Sequence, residues 1–340
     1  MLGLPTVWGA VAVTYKLVCP LAQLDGIGAR IATSAVFFAV GTGLILRVRH
    51  TLMRELSEAR TVAAAAQSAL LRPLPDRLDG LALAAGQLSA DRGASVGGDL
   101  YDVVATEHGV RVVMGDVRGH GIAALGTVGA VLGSFREAAH DEDELGPVLR
   151  RLERAHARYL RQRARDEHPA AGRGEPENPL AEEFVTVLLL EIRGDGAVHA
   201  LNCGHPWPYV LRPGAARCVE PMSGGDPLPP LGPFPLPAEL PPVRCGRIRP
   251  GEGLLLHTDG VEDARDPRGR FFPLRSTLDA CVRRGTVVPQ SVVHTVCSRL
   301  QGHVGGRLCD DAALLVLRND RSRVPAQHPG PTVRAAHKVL

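Results

Sequence analysis

From residue 110 onward the chain returns repeatedly to short apolar runs, several of which stop at a glycine, an aspartate or an asparagine. Residues 110–114, 184–192, 198–201, 209–211, 254–256 and 312–317 are of strand length. Longer helical stretches fall at about 122–140, 145–165, 274–284 and 289–301. The strands cluster in neighbouring runs instead of alternating with helices, which predicts an α+β domain with a largely antiparallel sheet. Two segments rich in Pro and Gly, 166–183 and 221–242, read as flexible connections or flaps. The 38 glycines and 27 prolines of the 340 residues stay below the level of wholesale disorder.

The carboxylates at these strand ends point to chemistry. Asp99 lies in VGGDLYD, Asp116 in VVMGDVRGHG, Asp259 in LLLHTDGVED, and Asp310 with Asp311 in LCDDAALLVL. Asp116 and Asp259 close apolar strands and are followed within a few residues by glycine, while Asp310 stands just ahead of one. A single Asp-Gly step is usually only a turn. Several carboxylates at one sheet edge repel one another unless a cation neutralises them. Hard oxygen donors without a His or Cys cluster suit Mg²⁺ or Mn²⁺ rather than zinc.

Taken in order, GGDLYD, GDVRGHG, NCGHPWP, HTDGVEDA and DDAALLVLR resemble the motifs of the SpoIIE-like branch of the metal-dependent protein phosphatase 2C (PPM) superfamily. QSALLRPLP resembles its usual lead-in, and the likeness runs from about Leu74 to Arg318. Actinobacterial members with short membrane anchors look especially similar. The resemblance implies a four-layer αββα sandwich: a central antiparallel β-sandwich flanked by helices, with a binuclear Mn²⁺/Mg²⁺ centre at one end. It implies a protein-serine/threonine phosphatase acting on a regulatory phosphoprotein, often an anti-sigma-factor antagonist.

By the same likeness Asp99 is a metal ligand and Asp116 bridges both ions. The backbone carbonyl of Val117 adds a ligand, and Asp259 and Asp310 hold the second ion. Two ions sharing a water would lower its pKa for in-line attack on phosphorus, with no side-chain nucleophile. His120 corresponds to the histidine of the GDVxGHG motif; it either protonates the leaving alkoxide or holds the site's geometry from behind. Asp102 and Asp311 are candidates to hold ion-bound waters, with surface or capping roles as the alternative. His205 reads as part of a strand-ending turn, Trp207 as packing, and His257 as a core residue sharing Asp259's face. Gly126, Gly129 and Gly133 predict close packing of a helix on a sheet. Ala313 stands where the family commonly has Thr, and His257 where it commonly has Tyr; neither departure removes a carboxylate. The alternative reading is a membrane-anchored regulatory binding module of this fold with little catalysis, which would bind a partner tightly without metal-dependent turnover.

The N-terminus is another kind of sequence. No charged side chain occurs before Lys16, and 27–46 is apolar except for Arg30. At ~1.5 Å per residue such a stretch spans the roughly 30 Å hydrocarbon core. Two transmembrane helices are predicted within 1–46, against the alternatives of buried core helices or, for the first, a cleaved signal peptide. Arg47, Arg49, His50, Arg54 and Arg60 then place the catalytic domain in the cytoplasm, at the cell membrane. Residues 47–72 are strong helix formers and predict a juxtamembrane helix ending at Pro73, either a rigid spacer or a homodimer contact. The expected organisation is an anchor at 1–46, a linker helix at 47–72, a phosphatase domain at 73–318 and a disordered tail at 319–340.

Charge and cysteine content exclude other classes. The formal net charge of +3 is concentrated at the membrane edge: residues 47–72 carry +3, and the residues beyond them net −1. That distribution suits anionic headgroups and argues against binding nucleic acid through bulk electrostatics. Seven cysteines, odd in number and without a C-x-x-C pair, suggest neither a disulfide framework nor a zinc site.

Overall fold

The computed structural model describes residue 14 and residues 27–89, 97–118, 122–167, 183–283, 285–306 and 308–321. The chain divides into two compact units, Met1–Val62 and Ala63–Leu340. The first of the two expected transmembrane segments, His120, and the tail beyond residue 321 lie outside the described residues.

Helix α1 (Ile27–Leu70) is continuous through residue 46, where the sequence pattern set the boundary between anchor and linker. Among the described residues one stretch is long and apolar enough to cross a membrane, the 21 residues Ala35–Glu55. It reaches past residue 46 and takes in Arg47, Arg49 and Arg54. Val36, Phe38, Val40, Leu44, Ile45 and Leu46 are exposed along it.

The larger unit is built on two antiparallel sheets. One contains β1 (Arg77–Leu78), β2 (Leu81–Leu88), β7 (Tyr209–Leu211), β8 (Val219–Pro221), β10 (Gly253–His257) and β11 (Ala312–Asn319), in the order β1-β2-β11-β10-β7-β8. The other contains β3 (Asp99–Thr106), β4 (Gly109–Val117), β5 (Val185–Ile192), β6 (Ala197–Cys203) and β9 (Val243–Arg247), in that order. Helices α2 (Ile122–Asp141) and α3 (Leu145–Glu167) cover the five-stranded sheet. The short α4 (Asp259–Glu262) follows β10, and α5 (Leu274–Val282) and α6 (Pro289–Val304) cover the six-stranded sheet. The four-layer α+β sandwich is therefore the architecture observed.

The layering explains why the strands read as unbroken apolar runs. On β5, Val185, Val187 and Leu189 pack under the α2–α3 layer, whereas Leu188, Leu190 and Ile192 fill the space between the sheets. On β11, Ala313, Leu315 and Leu317 face the other sheet, and Ala312, Leu314 and Val316 face α5 and α6. Both faces of β5 and β11 are dry, so no polar alternation survives in them. α3 shows the helical counterpart, with Leu145, Val148, Leu149, Leu152 and Ala155 buried at spacings of three and four. α6 starts with Pro289 in its first turn and stops at Gly305, whose φ of 64° is left-handed.

Three local findings depart from the sequence pattern. β2 (LALAAGQL) and β3 (DLYDVVAT) are strands that no apolar run announced, one rich in Ala and Gly, the other interrupted by two aspartates. A Cβ at Gly126 would run into Tyr159 of α3, so this glycine permits helix-on-helix rather than helix-on-sheet contact, whereas one at Gly129 would make only ordinary contact with Leu70 and one at Gly133 would meet nothing within 4 Å. Arg111, inside the apolar run of β4, is fully buried: Nε and Nη2 donate to Glu191 Oε2 at 3.1 and 2.9 Å, while Nη1 and Nη2 donate to carbonyls of Ala139, Glu142 and Asp143. It ties the end of α2 to the sheet. Beyond β11, Asp320 and Arg321 stay attached to the domain through Arg77 and Asp79 at 2.7 and 2.6 Å.

Candidate metal centre

At one end of the sandwich both sheets present carboxylates. Antiparallel pairing sets Asp99, the first residue of β3, directly across from Asp116 near the end of β4. Asp259 is the first residue of α4, immediately after β10, and Asp310 and Asp311 lead into β11, the neighbour of β10. Thr258 joins the two sheets. Its Oγ1 donates to Asp99 Oδ2 at 3.2 Å and accepts from the Ala313 amide at 2.9 Å.

Three glycines let these segments close on one another. A Cβ on Gly98 would collide with the Val117 carbonyl and lie 2.8 Å from Asp116 Oδ1. One on Gly97 would strike the Asp311 carboxylate, and one on Gly260 the Asp311 carbonyl. The Val117 amide donates to the Gly98 carbonyl at 3.1 Å, which locks the first two motifs together. The GGD and DG signatures are thus steric requirements of a carboxylate cluster built from four stretches of chain.

The cluster is electrostatically uneasy. Asp99 is 2% exposed, and burial, then the charges of Asp116 and Asp311, push its carboxyl well above the usual range. Asp116 is pushed up to about 7 by burial and then by Asp259, Asp310 and Asp311. Burial and Asp310 likewise raise Asp259. Every charged neighbour that shifts Asp99 or Asp116 is another carboxylate. A site with this surplus of negative charge either takes up protons or takes up cations.

The donor chemistry and the Gly98 cradle around the Val117 carbonyl fit hard divalent ions. Among the described residues no three His, Cys, Asp or Glu side chains already converge as a metal cage. Ion binding would draw the carboxylates inward.

Neighbouring residues support this end of the sheet. The Asp116 amide donates to Thr186 Oγ1 at 3.2 Å, and Thr186 Oγ1 shares a 3.0 Å hydrogen bond with His205 Nδ1. His205 is held in its turn by Asn202, whose side chain bonds both its amide and its carbonyl at 2.8 Å. Burial, then His257, pushes the His205 ring down to about 3. His257 is 1% exposed and stacks on Tyr209 with ring centroids 5.8 Å apart. Its strand ends before Asp259, which begins a helix, so the two do not share a strand face. Trp207 packs against the core between the sheets. Asp102 is not turned toward a water site: Oδ2 accepts from Arg136 Nε at 2.6 Å, and Oδ1 accepts from the Val103 amide at 2.8 Å. Arg136 also donates to the Leu70 carbonyl at 2.7 Å. Thr186 and Thr258 were not singled out from sequence; Thr186 is the one hydroxyl in the run VTVLLLEI, a signal that was available.

Comparison with known proteins agrees with this architecture. The family model described as Stage II sporulation protein E (SpoIIE) matches residues 106–320, a span that includes Asp116, Asp259 and Asp310 and begins after Asp99. The SiaA-PP2C domain of Pseudomonas aeruginosa is similar in structure, at 16% identity and TM-score 0.57, over 78% of this chain and 98% of that one. The PP2C phosphatase domain of SpoIIE from Bacillus subtilis, solved with a fragment of its regulatory domain, matches at 14% identity and TM-score 0.48, over 69% and 63% of the two chains. The catalytic domain of the serine/threonine protein phosphatase PstP, solved with 2 manganese ions, matches at 16% identity and TM-score 0.48, over 70% and 97%. The family match covers more than half of the chain and the SiaA-PP2C likeness shows the fold, so the chain belongs to the SpoIIE family and has a PP2C-like fold.

Proposed function

We propose that this protein is a Mn²⁺- or Mg²⁺-dependent serine/threonine protein phosphatase, held at the cell membrane by its N-terminal helix. Its substrate would be a phosphorylated regulatory protein, with an anti-sigma-factor antagonist as the candidate its family suggests. The observation that carries this reading is the meeting of Asp99 and Asp116 from one sheet with Asp259, Asp310 and Asp311 from the other, where burial and then the neighbouring carboxylates raise Asp99, Asp116 and Asp259. The PstP structure with 2 manganese ions is a precedent within the fold.

In this reading Asp99, Asp116, Asp259, Asp310 and the Val117 carbonyl would hold two divalent ions. Bound there, the ions supply Lewis acidity and an activated water for phosphoryl transfer. The chain's own contribution is placement. The β3–β4 register fixes the spacing of Asp99 and Asp116, Thr258 orients Asp99, and Thr186 holds the backbone of Asp116. His120, next to this strand end in sequence, is the residue proposed to protonate the leaving seryl or threonyl oxygen. The exposed apolar stretch Ala35–Glu55, about 30 Å long as a helix, supplies the anchor.

The test is hydrolysis of p-nitrophenyl phosphate by the full-length protein with Mn²⁺. Activity should disappear in EDTA and return with Mn²⁺. Turnover that is equal with and without chelator would defeat the reading.

A further inference from the structure

We propose that the arginine-bearing hairpin at residues 263–273 selects the protein substrate by binding acidic residues that flank its phosphorylated side chain. The proposal rests on the phosphatase reading. Its warrant is a surface feature that the carboxylate cluster itself does not use.

The hairpin leaves α4 directly, and α4 begins with Asp259. Arg265 is six positions from Asp259, so at most about 20 Å of chain separates them. The segment is braced. Arg265 and Phe271 form an antiparallel bridge, and the Phe272 amide donates to the Ala264 carbonyl at 2.8 Å. Asp266 Oδ1 accepts from the amides of Arg268 and Arg270, both at 2.9 Å. Phe272 is buried and meets the His303 ring edge-on at 5.5 Å, and His303 Nε2 lies 3.0 Å from the Arg270 carbonyl. A prepared surface loses little freedom when it binds.

The outer side of the hairpin is aromatic and basic. Phe271 is 53% exposed, and the Arg265 guanidinium lies 4.0 Å above its ring. Such pairs are enriched where proteins meet. Residues 263–275 hold Arg265, Arg268, Arg270 and Arg275 against Asp263 and Asp266, with Arg270 and Asp266 paired at 2.7 Å. A net positive ridge thus lies within about 20 Å of chain of Asp259, the nearest member in sequence of a strongly acidic centre. Its complement is an acidic segment of the substrate. In an extended peptide, acids three to six positions from the phosphoserine lie about 10–20 Å away, within the reach that the chain sets for the ridge.

The experiment compares two phosphoserine peptides with the full-length protein and Mn²⁺, one carrying Asp or Glu three to six positions from the phosphoserine, the other Ser or Gln there. The unsubstituted protein should favour the acidic peptide about tenfold in kcat/KM, mostly through KM, as two ion pairs at a rim would give. The preference should shrink as salt rises. Arg265→Glu with Arg268→Glu should abolish or reverse it, and Phe271→Ala should reduce it several-fold, with folding checked by thermal melting. Equal kcat/KM for the two peptides, or a preference that survives the double substitution, would overturn the proposal. If neither peptide nor p-nitrophenyl phosphate were hydrolysed, the phosphatase reading would fail. The ridge would then be judged by fluorescence anisotropy of the labelled acidic peptide, and equal affinity of the unsubstituted and doubly substituted proteins would overturn it.

Discussion

Replacing Asp116 by Asn removes a charge and keeps a shape, which separates the electrostatic burden of this residue from its packing. In the metal-free fold its carboxyl sits near 7 against an ordinary value of 3.8, so the folded state holds the proton more tightly than the unfolded state does. The associated stability is complete below about pH 4 and is lost as pH rises through 7. Asp116→Asn in EDTA should therefore have little effect on the melting temperature near pH 4 and raise it near pH 8, where the gain in stability is on the order of 2 kcal/mol. A lower melting temperature at pH 8 would mean that another protein group already neutralises this carboxylate. Gly98 supplies a steric prediction. Gly98→Ala presses a methyl onto the Val117 carbonyl and Asp116, and it should cost about 1–3 kcal/mol in urea unfolding together with most of the activity. The carboxylates were legible in the sequence because strand ends next to glycine announce them. Thr258 stood in view inside HTDG, yet its bond to Asp99 depends on one sheet facing the other, which no local pattern reveals. The Asp102–Arg136 contact spans 34 residues and had no local signal.

Arg111 carries the same lesson to the scale of elements. Its guanidinium is 0% exposed, and its bonds secure the α2–α3 connection to β4 and β5. Arg111→Met leaves Glu191 buried and without its Arg111 partner, and it should destabilise the domain by about 3–5 kcal/mol. Arg111→Met combined with Glu191→Met should recover much of that loss, as denaturant midpoints would show. A single substitution as mild as an exposed one would contradict the network. Most strands were legible because both of their faces are dry. β2 was not, since Ala and Gly have weak strand preference and its place is set by pairing with β11 along its whole length. β3 was hidden by Asp99 and Asp102, the first of which belongs to the cluster. The helix after β4 was expected, but Gly126 accommodates Tyr159 rather than a strand, because the sheet-facing side of α2 is filled by Val128, Val131, Leu132 and Phe135.

For the whole molecule, the four-layer fold places a carboxylate cluster where two sheets meet, and a helix suited to a bilayer precedes it in sequence. If that helix anchors the protein, the full chain should sediment with membranes and resist alkaline carbonate extraction, and a chain lacking residues 1–62 should remain in the supernatant. Recovery of the full chain in the carbonate supernatant would refute the anchor. The fold class was legible because clustered strands exclude a regular β–α alternation. The central claim is that the carboxylates act through divalent cations on a phosphorylated side chain. Phosphate release from a phosphoserine peptide by the full-length protein, measured with Mn²⁺ and with EDTA, tests it most directly. Release is expected with Mn²⁺ only, and Asp116→Asn should lower it on the order of a hundredfold or more. Release that persists in EDTA, or that Asp116→Asn leaves intact, would contradict it.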